Sequence, residues 1–407
     1  MLPLDLVQTL AFAGIALFFG YGLRRAVPML ARYNLPAPVL GGLAVALTLW
    51  AARAQGLEPV TFDTTLQSPL MVAFFTTIGL GASVSLLRVG GPQVAWFFGL
   101  ATLFAVAQNV VGAGVAVALG VDPLVGVLAG SVTLTGGPAT GLAFAPLFEE
   151  AGVPGAATLA VAAAMVGIVS GGVIGAPLVT RLIERADRPG SRGLPDAGGS
   201  ASDVVEARVD PPEPAAPEGE DAGAYVLLKT VAVILVAMWG GGYVSAAFEA
   251  WGVTLPATIG AMLVAAALRN LDDATGWLGL SMRSVDDVGE VALALFITLA
   301  LMTLKLWEIA ALALPLAVVL AVQIVMIALT VRLVWRAMGS DYEAAVMASG
   351  FVGFMLGTTA NAMANMRALV ERYGPAPRAF LVVPMVGAFF IDFTNALIVT
   401  AFVNMLR

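Results

Sequence analysis

The chain has 407 residues, of which 59% are hydrophobic and only 12% charged, and it carries a net charge of −7. A soluble domain is typically about 25% charged, so this composition excludes an ordinary soluble enzyme. The negative charge opposes binding to nucleic-acid phosphates. Because cysteine and histidine are absent, disulfides, thiol chemistry and histidine-based metal sites or general bases are excluded as well.

Apolar runs of spanning length recur along the chain, and each predicts a transmembrane helix of roughly 17–25 residues. The first run is followed by Arg24 and Arg25 and has no basic stretch before it, so we interpret it as an uncleaved helix whose amino end lies outside. The ten predicted spans are residues 4–23, 37–53, 67–87, 93–119, 154–179, 224–248, 254–271, 288–306, 309–336 and 378–404.

Two further apolar stretches, 123–148 and 343–370, are rich in Gly and Thr, with Pro in the first and Asn in the second, and predict re-entrant hairpins. With the amino terminus outside, all of the 20 lysines and arginines except Arg53, Lys305 and Arg407 fall on the cytoplasmic side. This distribution matches the positive-inside rule if the first hairpin returns to the outside and the second to the cytoplasm. Both chain termini are then predicted to lie outside.

One long polar segment, residues 186–222, is dominated by Pro, Gly, Ser and acidic residues. This composition predicts a disordered linker, which the orientation places in the cytoplasm. We interpret it as a plain tether, with a docking role as the alternative. It separates a first unit, residues 1–185, from a second unit, residues 223–407.

The two units share short matches at a nearly fixed offset of 220 residues. Each unit holds five predicted spans, an odd number, so the second must enter the membrane from the opposite side. This is the inverted-repeat plan of secondary transporters; a duplicated bundle without a transport role is the alternative. The matches are Leu35-Pro36-Ala37 with Leu255-Pro256-Ala257, Asp122 with Asp341, and Met165-Val166-Gly167 with Met385-Val386-Gly387.

The hairpin stretches combine glycine, which lets backbone approach a ligand closely, with residues that interrupt a helix. Free backbone groups at membrane depth are tolerated only where protein, water or ligand satisfies them. Helix N-termini there attract carboxylates and C-termini attract cations. Tight helix crossing is the alternative, which we favour for Gly126 and Gly130. The candidate substrate-binding residues are Thr135, Gly136, Gly137, Thr140, Gly357, Thr358, Thr359 and Asn361.

Asp392 lies near the centre of the last span, where a charged side chain costs about 2.5–3.5 kcal/mol on insertion scales. Asn395, three residues on, shares its helix face. Oxygen ligands of this kind predict a site for a hard monovalent cation; a proton pathway and a structural hydrogen bond are the alternatives. The mid-span amides of Gln108, Asn109 and Gln323 are interpreted as hydrogen bonds between helices.

The second hairpin, the string Phe380–Asp392 and the segments Asp122-Pro123-Leu124 and Leu304-Lys305-Leu306-Trp307-Glu308 resemble the bacterial sodium/glutamate symporter family. The resemblance implies an all-α carrier of the bacterial inner membrane, with ten helices in two inverted repeats and a re-entrant loop in each. It also implies sodium-driven glutamate uptake, an elevator-like motion and a homodimer. Residues 135–140 and 355–361, where substrate should bind, differ from the family pattern. The resemblance therefore supports coupling to a cation more strongly than it supports glutamate as the substrate.

Our first hypothesis is therefore a sodium-coupled symporter for an anionic amino acid, with sodium as coupling ion and no other cofactor. The second is a proton-coupled or exchange carrier for another organic anion, a dicarboxylate or hydroxycarboxylate. A channel would conduct ions without saturation by an organic solute. An intramembrane enzyme is disfavoured because the sequence has neither a His-Glu metal motif nor a Gly-x-Ser-x-Gly elbow.

Overall fold

The structure is a computed structural model. It describes residues 2–57, 60–89, 91–183, 222–252, 254–306 and 312–407. This part of the chain is mostly helical, with a short parallel pair of strands, β1 (Leu2–Pro3) and β2 (Val60–Thr61). The first half contains α1 (Leu6–Ala26), α2 (Pro28–Arg32), α3 (Ala37–Ala54), α4 (Gln67–Gly81), α5 (Val84–Val89), α6 (Gly91–Ala118), α7 (Pro123–Val127), α8 (Gly137–Glu150) and α9 (Ala156–Ile183). The second contains α10 (Ala222–Ala250), α11 (Ala257–Thr275), α12 (Met282–Met302), α13 (Ala313–Ala337), α14 (Tyr342–Met355), α15 (Thr359–Tyr373), α16 (Pro377–Met385) and α17 (Ile391–Leu406).

Six helices of the described part are long and apolar enough to cross a membrane: α1, α3, α6, α9, α10 and α13. Shorter apolar helices accompany them, and every predicted span overlaps a helix. The chain is thus an all-α, multi-pass membrane protein. The predicted linker, 186–222, lies outside the described residues except for Ala222.

The third predicted span, 67–87, is interrupted in the structure, because α4 ends at Gly81 and α5 begins at Val84. Asn270 of α11 stabilises this break from the side. Its Nδ2 donates to the carbonyl of Ala82 at 2.9 Å, and its Oδ1 accepts the N–H of Val84 at 2.9 Å. A side chain from another helix thus satisfies backbone groups that the break removes from the helical ladder.

The helices form two groups by their contacts. The frame module consists of α1, α3, α4 and α10–α12, and the hairpin module consists of α6–α9 and α13–α17. Each half of the chain contributes its first helices to the frame and its later ones to the hairpin module. In both halves the first two long helices cross at glycines: a methyl group on Gly20 would lie 2.8 Å from the Gly41 nitrogen, and one on Gly260 would lie 2.3 Å from the Gly241 oxygen.

Both predicted hairpin stretches are interrupted helices. In the first, α7 continues into a π-helical segment, Leu128–Val132, in which Gly130 has non-helical backbone angles, and α8 starts only at Gly137. In the second, α14 ends at Met355 and α15 starts at Thr359. We call residues 135–137 the first tip and residues 356–359 the second tip.

Candidate functional site

The two tips meet in the hairpin module. Gly137 has a left-handed backbone with φ +67°, and a methyl group placed on it would lie 3.6 Å from Thr358 Cγ2 and 3.8 Å from the Gly357 oxygen. The positive φ explains why a glycine stands at this position, since other residues adopt that conformation at a cost. Predicted substrate residues from opposite halves of the chain therefore lie against each other.

Each tip carries a helix N-terminus without a capping side chain. Gly136 precedes α8 and Thr358 precedes α15, and neither provides a side-chain cap. By contrast, the entrance helices of the same hairpins are capped: the N–H of Leu124 bonds Asp122 at 2.8 Å, and that of Ala344 bonds Asp341 at 2.7 Å. Uncapped N–H groups and the positive end of the helix dipole make both tips suited to carboxylates.

Gln108, in the middle of α6, bonds to both hairpins. The hydroxyl of Thr135 donates to Gln108 Oε1 at 2.7 Å, and Gln108 Nε2 donates to the carbonyl of Met355 at 2.8 Å. Gln323 Nε2 donates to the backbone oxygen of Gln108 at 2.5 Å. Both glutamines are fully buried. The interpretation of these amides as links between helices agrees with these bonds, but the sequence did not indicate that Gln108 reaches both hairpins.

The remaining predicted substrate residues line the two tips. Thr140 packs against Gly136, and Thr359 packs against Gly387, where a methyl group would lie 3.0 Å from Thr359 Oγ1. Asn361 is fully buried, and its Nδ2 donates to the carbonyl of Ile168 on α9 at 2.7 Å. Asn361 Oδ1 has no hydrogen-bond partner, so an acceptor beside the second tip is left unsatisfied.

Asn395, one of the two predicted cation residues, lies against the π-helical segment of the first hairpin. Asn395 Nδ2 donates to the carbonyl of Ser131 at 2.9 Å, and the N–H of Ser131 donates to Asn109 Oδ1 at 2.9 Å. Asn109 Nδ2, Ser131 Oγ and Asn395 Oδ1 are all buried without a partner. A buried unsatisfied polar group is costly, so this cluster is poised for a ligand.

Asp392 is half-buried in the first turn of α17, directly after a second π-helical segment, Val386–Phe390. It makes no hydrogen bond or ion pair with any other described residue. Such π-helical segments inside α-helices occur frequently at functional sites. The described residues contain no group of three or more acidic, His or Cys side chains, so a cation here has hydroxyl, amide and carbonyl oxygens and one carboxylate available.

The interpretation of Asn109 as a link between helices agrees with its bond to Ser131, whereas the sequence analysis did not single out Ser131. The available signal was the position of this serine directly after the glycine at which the hairpin helix bends.

Interrupted helices that meet at buried polar groups within an all-α membrane protein are the construction typical of secondary transporters. The chain belongs to the sodium/glutamate symporter family, whose profile matches residues 2–375. It is 42% identical to the sodium/glutamate symporter of Escherichia coli (strain K12) over 405 residues, which cover 98% of this chain and 97% of the relative. It is 38% identical to the sodium/glutamate symporter of Haemophilus influenzae over 391 residues, 96% of this chain and 95% of the relative.

Proposed function

We propose that this protein is a secondary active transporter that takes up glutamate together with sodium. The observation that carries the proposal is the meeting of two uncapped helix N-termini, one from each half, beside buried oxygen atoms without partners. The names of the relatives supply the choice of glutamate and sodium. Binding an anion and a cation together lowers the cost of carrying either through a low-dielectric core.

In the substrate site, the N–H of Gly137 and the positive end of the α8 dipole at Gly136 hold one carboxylate, and the N–H groups at Gly357 and Thr358 hold the other. The N–H of Gly136 itself donates to the Ser131 carbonyl at 3.0 Å. The hydroxyls of Thr140, Thr358 and Thr359 add hydrogen bonds, and Thr135 positions the first tip through Gln108. Asn361 Oδ1, which has no partner in the protein, accepts a hydrogen bond from the substrate ammonium group.

In the sodium site, Asp392 supplies the negative charge and Asn395 Oδ1 a neutral oxygen. Ser131 Oγ, buried beside Asn395 and without a partner, supplies a further oxygen ligand. The site contacts the first hairpin through Ser131, so sodium binding stabilises the hairpin that presents Gly136 and Gly137 to the substrate.

Uptake of labelled glutamate into proteoliposomes tests the function. We expect accumulation only with an inward sodium gradient. Equal uptake in potassium medium rejects sodium coupling. Uptake of a labelled dicarboxylate or hydroxycarboxylate that is driven by a pH gradient, or by internal substrate alone, supports the alternative carrier of another organic anion; in the proton-coupled case Asp392 carries the proton.

We further propose ten membrane crossings in two inverted repeats, residues 1–185 and 223–407, with re-entrant hairpins at 123–148 and 343–370. The glycine crossings and hairpin breaks that recur in both halves support this arrangement. Both termini lie outside the bacterial inner membrane, and the linker 186–222 lies in the cytoplasm. Accessibility labelling of single cysteines, introduced into this cysteine-free chain, tests the orientation. A detergent-corrected mass near twice 41.7 kDa supports a homodimer.

We propose that the hairpin module moves against the frame as an elevator. One contact between them must then break in each cycle: Thr254, in the frame loop before α11, donates its N–H to Asn404 Oδ1 at 3.0 Å and accepts from Asn404 Nδ2 at 2.9 Å. Oxidising the pair Thr254→Cys and Asn404→Cys should stop uptake, and reductant should restore it. The control pair Gly240→Cys and Val264→Cys lies within the frame and should transport when oxidised. Full uptake by the oxidised Thr254–Asn404 pair rejects the elevator motion.

A further inference from the structure

One buried side chain bridges the two tips. Gln108 accepts a hydrogen bond from the hydroxyl of Thr135 at the first tip and donates one to the carbonyl of Met355, the last residue before the second tip. Thr135 Oγ1 also lies 3.7 Å from Met355 Sδ, a much weaker contact. Among the described residues, no other side chain hydrogen-bonds to both the first tip and the residue that precedes the second tip.

The bridge is rigid because its members are buried. Gln108 is fully buried and Thr135 is 5% exposed, so water does not replace either hydrogen bond when it is strained. The Gln108 backbone is held in turn by the side chain of Gln323. The length of one glutamine side chain therefore defines the separation of Thr135 at the first tip from Met355 before the second.

We propose that Gln108 is a positioning residue that sets the distance between the two tips and thereby the chain length of the dicarboxylate that the transporter accepts. The inference rests on the proposed function, in which each uncapped helix N-terminus holds one carboxylate. The two carboxylates of an amino dicarboxylate are separated by its methylene chain, so a fixed tip separation selects one chain length. A rigid pocket distinguishes ligands that differ by one methylene by roughly 10- to 200-fold.

Gln323 provides a matched control. It is a second fully buried glutamine in the middle of a long helix, but its Nε2 bonds the Gln108 backbone and its Oε1 has no partner. The repeat offset of 220 makes Met355 the counterpart of Thr135, so the second half has no hydroxyl at that position to donate to Gln323. Gln323 therefore contacts neither tip through a hydrogen bond, although its loss removes a buried polar group just as the loss of Gln108 does.

The test compares Gln108→Met, Gln108→Asn and Gln323→Met with the wild type in proteoliposomes under an inward sodium gradient. Aspartate, glutamate and 2-aminoadipate compete for uptake, which gives the ratio of their kcat/KM values. In Gln108→Met, which keeps the side-chain length but loses both hydrogen bonds, we expect the preference for glutamate over the other two to fall by about tenfold. Gln108→Asn, one methylene shorter, should shift the preference toward aspartate. Gln323→Met loses a bond to the Gln108 backbone but keeps both bridging hydrogen bonds, so it should change the ratio by much less than Gln108→Met does.

Wild-type ratios in Gln108→Met overturn the proposal, and so do equal losses in Gln108→Met and Gln323→Met, which would indicate general weakening of the core. If Gln108→Met does not fold, Gln108→Asn decides: an unchanged ratio overturns the proposal and a shift toward aspartate supports it. Failure of the wild type to take up glutamate with sodium rejects the proposed function instead, so the two failures are distinguishable.

Discussion

The protein has two junctions at which a hairpin meets the last helix of the other half, and they are built differently. At the first, Asn395 of α17 donates to the carbonyl of Ser131 on the first hairpin. At the second, Asn361 and Asn365 of the second hairpin donate to carbonyls of Ile168 and Gly171 on α9. The asparagines thus lie on the last helix at one junction and on the hairpin at the other.

The difference extends to the residues related by the repeat offset of 220. Gly172 and Gly175 of α9 correspond to Asp392 and Asn395 of α17. The first junction has a π-helical segment on both partners and a carboxylate, whereas the second has regular α9 and glycines. The repeat gives both junctions the same arrangement of helices, but only the first junction carries the carboxylate and the amide oxygen that a cation requires. We therefore expect sodium to act at the first junction and helix packing to dominate the second.

The strongest challenge to this comparison is Asp392→Asn, which removes the charge and keeps the shape. We expect the apparent sodium affinity to fall by roughly a hundredfold, equal to about 3 kcal/mol, because no other acidic side chain is assigned to the site. The sodium dependence of glutamate uptake measures it. Gly172→Ala at the corresponding position of α9 should leave that dependence unchanged, and an unaltered sodium dependence in Asp392→Asn removes the site assignment.

Asn395→Leu and Asn365→Leu separate the two junctions. Each removes a buried hydrogen bond from a side-chain amide to a backbone carbonyl, which is worth about 0.5–1.5 kcal/mol. Both should lower the melting temperature in potassium medium, but only Asn395→Leu should abolish the additional stabilisation that sodium provides. Thermal unfolding in sodium and in potassium measures both effects; a retained sodium shift in Asn395→Leu contradicts the prediction.

Gly175→Ala tests whether the second junction is a packing contact. The added methyl group would lie 2.0 Å from Asn365 Nδ2, and overpacking of this kind costs typically 1–3 kcal/mol. Gly172→Ala on the same helix has nothing within 4 Å and should be neutral or slightly stabilising. Thermal unfolding compares the two, and Asn365→Ala should rescue Gly175→Ala; equal melting temperatures for the two alanine variants argue against close packing.

Ser131→Ala has the smallest expected effect. Its hydroxyl has no hydrogen-bond partner among the described residues, so we expect stability without sodium to change by less than about 0.5 kcal/mol. The apparent sodium affinity should nevertheless fall by about fivefold, the scale of one neutral ligand. Sodium titration of uptake measures it; the same affinity as the wild type excludes Ser131 from the site.

The sequence predicted the helical elements well because their signals are local. Apolar runs located the long helices, and the glycines and polar residues of 123–148 and 343–370 located both interruptions. The contact of Gly137 with Thr358 depends on tertiary packing across more than half the chain, which no local pattern encodes. The substrate role of Thr135 stays a prediction, and for the same reason no local pattern indicated that its hydroxyl bonds Gln108.

The left-handed backbone at Gly137 limits how such a carrier can diversify. Any residue with a Cβ would be strained there, so position 137 itself offers only main-chain atoms to a solute. New selectivity must then arise around that point, at side chains such as Thr135, Met355 and Asn361 that surround or brace it. These side chains can change during evolution, whereas the glycine at position 137 must be kept.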